Sequence, residues 1–185
     1  MFYFLAILAG TFLVVILASA WNQKKLHSDE DLFGLVELML PVNTERMQCL
    51  FDPAEEWNLR TRNTSKAFKT IQGNRRRLAI QYASHMYRNA GLLQRLGRAA
   101  LRKAREPEAL TGRMLLNAGV AVRMRSCLLL IFLRLQQVLY TGSNLSATRD
   151  VVNDLLPEYK EMLRVASSLS QSIDPKLHDS LIGVL

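Results

Sequence analysis

The chain has 185 residues, 49% hydrophobic but only 8% aromatic, with 9 Gly, 5 Pro and 2 Cys, and a net charge of +8. With Gly, Pro and aromatics sparse and Ala, Leu, Arg and Gln common, this composition suits helices rather than sheets. No alternating strand run flanked by turn residues stands out, so an all-α fold is expected. Two cysteines far apart, without a CxxC, exclude a disulfide framework and a cysteine-rich zinc site. Cys49 and Cys127 are expected to be buried small apolar residues, which fits a reducing compartment.

The first element is Met1 to Trp21. Phe2 to Ala20 is a run of nineteen residues with no charge, whose polar side chains are Tyr3, Thr11 and Ser19. As a helix it would be about 29 Å long at ~1.5 Å per residue, the thickness of a ~30 Å hydrocarbon core. Ala18-Ser19-Ala20 has the small-x-small form of a signal-peptidase site, but no Lys or Arg precedes the run, and it exceeds a ~7–15-residue h-region. Trp21 sits where an interfacial aromatic belongs, and Lys24 and Lys25 follow at once. A retained anchor through residues 2–20 is expected, with the N-terminus outside and residues 22–185 cytoplasmic. The alternative is a secreted or periplasmic helical binding protein, residues 1–20 being removed as a signal peptide.

Four segments follow from this reading. Residues 1–21 are the anchor, 22–28 a polar tether, 29–62 an acidic helical segment, and 63–185 a basic-to-neutral bundle packed with 29–62 as one domain. Ser28 should cap a helix that begins with Asp29, Glu30 and Asp31 and ends at Pro41. Asn43 should cap a short helix with Met47, Leu50 and Phe51 inward. Asp52-Pro53 opens the next, with Glu55 and Glu56 in its first turn.

From Thr64 or Ser65 to about Arg105 one long helix is expected, with Gly73-Asn74 the place for a bend. Arg77, Gln81, Ser84, Arg88, Gly91, Arg95, Arg98, Arg102 and Arg105 follow steps of four and three, forming one polar stripe. On the opposite face lie Ala79, Ala83, Met86, Ala90, Leu93, Gly97 and Ala100, small enough to admit a close neighbour. After Pro107 a second long helix runs from about Glu108 to Tyr140 and contains the apolar run Ser126–Leu133. Arg123, Arg125 and Arg134 interrupt that run, so it is read as the buried centre of a bundle rather than a membrane span. Thr141–Asn144 should be a loop. Ser146 should cap a helix with Val152, Leu155, Tyr159, Met162, Ala166 and Leu169 on one side, kinked or split at Pro157. Asp174-Pro175 opens a terminal helix carrying Leu177, Leu181 and Ile182.

Charge is strongly segregated. Residues 26–56 hold eight acids and one base, a net −7. Residues 57–134 hold seventeen bases and two acids, a net +15, and residues 135–185 hold four bases and six acids, a net −2. No phosphate loop, dinucleotide fingerprint, zincin or nucleophile-elbow motif is present, and His27, His85 and His178 are isolated. No catalytic residue, cofactor or metal site is therefore expected, and the chain reads as a non-enzymatic interaction or scaffolding module. Its candidate contact residues are Arg77, Arg88, Arg95, Arg98, Arg102 and Arg105, facing anionic lipid head groups or an acidic protein. Nucleic acid is the least favoured partner because the aromatics Tyr82 and Tyr87 lie off the stripe. The plain alternative is that the stripe is a solvated face, or one neutralised by residues 26–56.

Overall fold

In a computed structural model the described residues are 32–103, 106–139 and 145–184. They are 92% helical, without a strand. The expected anchor, tether, Ser28 cap and 141–144 loop lie outside them. The chain from Leu32 to Leu185 gathers into one compact unit.

Seven α-helices follow in order among the described residues: α1 (Leu32–Glu37), α2 (Thr44–Leu50), α3 (Pro53–Arg62), α4 (Ser65–Lys103), α5 (Glu106–Leu139), α6 (Arg149–Ile173) and α7 (Pro175–Val184). Their starts carry the expected caps. Asn43 Oδ1 accepts from the Arg46 N–H at 2.7 Å, Asp52 Oδ1 from Ala54 at 3.0 Å, and Asp174 Oδ1 from Lys176 at 2.9 Å. The start of α6 differs: a 3₁₀ turn over Leu145–Thr148 precedes it, and Thr148 Oγ1 donates to the Leu145 carbonyl at 2.8 Å.

Helices α4 and α5 form a long antiparallel hairpin, the most extensive pairing in the fold. Their backbones meet where glycines face each other. A Cβ on Gly97 would stand 2.9 Å from the Gly112 carbonyl oxygen, and a Cβ on Gly112 equally close to that of Gly97. Gly119 repeats the approach, its Cβ direction blocked by Gln94 and the Ala90 carbonyl. The small-residue stripe of α4 is buried as expected, from Ala79, Ala83 and Met86 through Ala90, Leu93 and Ala100. No break interrupts α4 at Gly73-Asn74.

Helix α6 closes the core with Val152, Leu155, Tyr159, Met162, Ala166 and Leu169, all buried. It continues through Pro157 as one helix, so the expected split does not occur. The missing N–H at Pro157 costs one backbone bond, whereas the apolar face on both sides of it is anchored in one core. Arg125 of α5 lies against this turn, pairing with Glu158 and donating to the Asp154 carbonyl at 3.4 Å.

The short helices are fastened to α4 by polar side chains. Arg75 Nη2 donates to the Leu50 carbonyl at 2.8 Å and to that of Cys49 at 3.2 Å, supplying a cation at the carbonyl end of α2. Asn89, 1% exposed, clasps the chain after α1. Its Oδ1 accepts from the Leu40 N–H at 2.9 Å, and its Nδ2 donates to the Leu40 carbonyl at 2.7 Å and the Tyr159 hydroxyl at 2.8 Å. Half-buried His85 donates from Nδ1 to the Pro41 carbonyl at 3.1 Å.

Two expectations are corrected. Cys49 is exposed rather than buried, because it lies on the outer side of a seven-residue helix whose Met47 and Leu50 take the core positions. Helix α5 is not the surrounded centre of a bundle. Leu115, Val122, Leu129 and Leu133 are buried against α4 and α6, but Leu110, Met114, Val120, Met124, Leu128, Phe132 and Val138 are exposed. The fold gives α5 two long neighbours, and a helix apolar on every side needs more than two.

Gly97→Val should destabilise the domain by about 1–3 kcal/mol, because the new methyl groups force the α4 and α5 backbones apart. Gly73→Ala, whose Cβ meets nothing within 4 Å, should be neutral or slightly stabilising; thermal melts followed by circular dichroism compare the two. Burial pushes the Tyr159 hydroxyl up from 10 to about 12. The folded state thus holds this proton more tightly than the unfolded one. Its contribution is complete below pH 10 and fades as pH rises through 12, a loss of about 2–3 kcal/mol. Denaturant titrations should find a shallower alkaline decline in Tyr159→Phe than in the wild type.

Candidate interaction surface on α4 and α5

The basic stripe is assembled largely as its spacing implies. Arg77, Arg88 and Arg102 are exposed, Arg95 and Arg98 are half-buried, and Arg105 lies outside the described residues. Gln81 and Ser84 between them are exposed too. Arg77, Arg88 and Arg102 lie on the side of α4 away from the buried small-residue stripe. Glu55 of α3 does meet a base of α4 at 3.8 Å, but that base is Arg75, on the core side.

Sequence reasoning missed the neighbouring surface. The exposed apolar residues of α5 run from Leu110 to Val138, about 42 Å at ~1.5 Å per residue. Met124 is 53% exposed and Val138 80%, and steps of four connect Leu110 with Met114 and Val120 with Met124, Leu128 and Phe132, with exposed Asn117 and Arg134 in the gaps.

Two of the cations that interrupt the apolar run, Arg123 and Arg125, are drawn to neighbouring helices, while Arg113 and Arg134 stay exposed. Arg123 lies in the α4–α5 seam, its guanidinium carbon 4.6 Å above the Tyr87 ring centroid. It donates to the Tyr87 hydroxyl at 2.7 Å and to Gln94 Oε1 at 3.2 Å. Arg125 is taken up by α6, as described above, and Arg134 Nη1 donates to Gln137 Oε1 at 3.4 Å. By length and composition Pro107–Val138 is long and apolar enough to cross a membrane. The signal available in the sequence was therefore the apolar composition all round α5; counting its arginines as breaks concealed it.

Helical geometry relates the two surfaces. On α4, the line facing α5 passes through Ala90, Gln94 and Gly97, on the small-residue side, and the stripe reaches the edge of the seam at Gly91, where Arg123 extends across. On α5, Val120, Met124, Arg113 and Arg134 lie on the side of that seam away from α6. The edge of the stripe and the Val120, Met124 and Val138 side of α5 therefore lie on the same side of the hairpin, whereas Leu110, Met114, Leu128 and Phe132 turn toward the α6 side.

His178 has a packing role. His178 Nδ1 is 3.1 Å from the Ser167 carbonyl, 3.3 Å from Ser167 Oγ and 3.4 Å from Ser170 Oγ, which fastens α7 to α6. Among the described residues no group of three or more His, Cys, Asp or Glu side chains could hold a metal ion. No protein family, curated protein or solved structure matches the chain.

Arg123→Ala should cost about 2–3 kcal/mol, since it leaves Gln94 and Tyr87 without their partner and removes a cation from an aromatic face. The pair Arg88→Gln and Arg102→Gln should change stability by less than about 0.5 kcal/mol. Chemical denaturation of both variants separates a structural arginine from stripe arginines that fold does not require.

Proposed function

We propose that this protein is a single-pass, membrane-anchored, non-enzymatic interaction module. Residues 2–20 hold it in the bilayer with the N-terminus outside, and the helical domain lies against the anionic cytoplasmic leaflet. The observation that carries this reading is that the edge of the α4 stripe and the Val120, Met124 and Val138 side of α5 lie on the same side of the hairpin. An amphipathic surface of this kind settles in the plane of a membrane, with apolar side chains at the acyl boundary and cations among the head groups. Each Lys or Arg near an anionic leaflet contributes ~1 kcal/mol, and an anchor keeps the face within reach of it.

The apolar length of α5 favours a second reading, in which α5 itself crosses the bilayer. Its close packing on α4 argues against that arrangement. Gly97 and Gly112 hold the two helices together, so Arg88, Arg95, Arg98 and Arg102 would be carried into hydrocarbon with α5. Each buried charge there costs at least ~2.5–3.5 kcal/mol. An acidic partner protein would satisfy the basic band but would leave the apolar band unused.

The test uses the full chain in lipid nanodiscs. Trp21 and Trp57 are replaced by Phe, and Met124→Trp supplies the only indole. Brominated acyl chains should quench its emission in anionic discs, and much less in zwitterionic ones. Adding Arg88→Gln and Arg102→Gln should reduce the docking equilibrium constant by about thirty-fold, the equivalent of ~2 kcal/mol. Emission indifferent to bromine and to lipid charge would remove the face from the membrane. A purified chain beginning at Trp21 by mass spectrometry would sink the anchor.

A further inference from the structure

Helix α5 carries two seven-residue repeats on opposite sides. On the inward side, Leu115, Val122 and Leu129 alternate with Gly112, Gly119, Ser126 and Leu133, and all are buried. On the outward side, Leu110, Asn117, Met124, Ile131 and Val138 stand seven apart. Met114, Ala121, Leu128 and Leu135 each follow one of them by four, and every member of this outward set is exposed or half-buried. Leu115 and Asn117 are ~200° apart on a helix, so the outward set has no covering neighbour among the described residues. We propose that this seam pairs with the same seam of a second copy of the chain, the two α5 helices lying parallel and in register.

The spacing is that of a coiled coil. From Leu110 to Val138 the repeat spans four heptads and is apolar at every position but Asn117. A 3.5-residue repeat sustained over that length is what a supercoiled helix pair requires. The inward repeat shows the same principle already satisfied, with α4 and α6 as its partners.

Polar groups choose the partner and its direction. In a parallel pair Asn117 meets its own counterpart, and the two carboxamides can bond to each other, which fixes register. In the antiparallel pair of full overlap Asn117 would meet Ile131 and lose its partner, and Arg113 would meet the other copy's Arg134. The edges of the seam differ in sign. On the α4 edge Arg77, Arg88 and Arg102 are exposed, and α4 holds no acid from Ser65 to Lys103. The α3 acids approach the other side of α4: Glu55 is 3.8 Å from Arg75, and Glu56 is buried. On the α6 edge Asp150 and Asp154 are exposed, Glu158 is paired with Arg125, and Glu161 with Arg164 at 2.7 Å. Arg149 and Lys160 are ~180–200° round from Glu158, on the far side of α6. A two-fold axis parallel to α5 sets the α4 edge of each copy beside the α6 edge of the other, opposite charges together. A perpendicular axis sets stripe against stripe. The surface is thus complementary to itself in one orientation.

This inference goes beyond the membrane-surface reading and does not rest on it. Lipid and a second copy compete for Met124, and pairing belongs to the domain away from anionic lipid. The test therefore contains none: the full chain is sedimented in an uncharged maltoside detergent at micromolar concentration. We expect a dimer. Met124→Glu with Leu128→Glu, both at exposed positions, should raise its dissociation constant by about a hundredfold or more and leave the helical circular dichroism unchanged. Direction is read by mild oxidation in a Cys49→Ser, Cys127→Ser background. Leu110→Cys alone should form a disulfide-linked dimer, and Gln171→Cys, exposed on α6 away from the seam, should not. A monomer, its seam covered by detergent or by residues 1–31, overturns the proposal. So does a dimer that survives the two glutamates, which another surface such as residues 2–20 must hold. A disulfide formed only when Leu110→Cys chains are mixed with Val138→Cys chains shows an antiparallel pair and equally overturns it.

Discussion

The close approach of α4 and α5 is the constraint on which the rest of this structure depends. At Gly97 and Gly112 each helix occupies space that a Cβ of the other would need, so the two backbones are held nearer than larger side chains would permit. That distance sets the register of the hairpin. It brings Arg123 over Tyr87 and beside Gln94, and brings Gln137 level with Gly73 and Arg77. It also makes one continuous outer surface of what would otherwise be two separated helices.

The same pairing decides which charges remain outside. A cation in an apolar helix is costly unless its donors are satisfied. Arg123 and Arg125 meet that condition by bonding across to α4 and α6. Their withdrawal leaves Arg113 and Arg134 as exposed cations of α5, while the α4 stripe keeps Arg77, Arg88 and Arg102 at the exterior. Polar anchoring thus works inward at Arg75, Asn89 and Arg123, and segregation of basic and apolar bands works outward. The buried polar groups do more than fill hydrogen bonds: Asn89 alone joins the segment after α1, the centre of α4 and Tyr159 of α6.

Much of the fold was legible because its signals are local. Asn43, Asp52 and Asp174 start helices by bonding to backbone N–H groups two or three residues on, an interaction that requires no distant partner. The small-residue face of α4 and the apolar side of α6 follow from helical periodicity, and both are buried where that periodicity put them. Arg75 was not legible as a helix-end partner, since the carbonyls it meets are 25 and 26 positions earlier in the chain. Nor could Pro157 be judged from its own turn, because packing along the whole of α6 outweighs one lost backbone bond.

The sequence by itself determined that this chain is helical, where most of its helices begin, that α4 is basic on one face and small on the other, and that α5 is apolar all round. Tertiary structure alone decided which side of α5 the core would cover and which arginines would be drawn inward. The reason is physical. Capping and periodicity act over one or two turns, whereas burial depends on how many neighbours a helix finds, and α5 finds two. Its third face, with the basic band beside it, is the part of the molecule that faces outward.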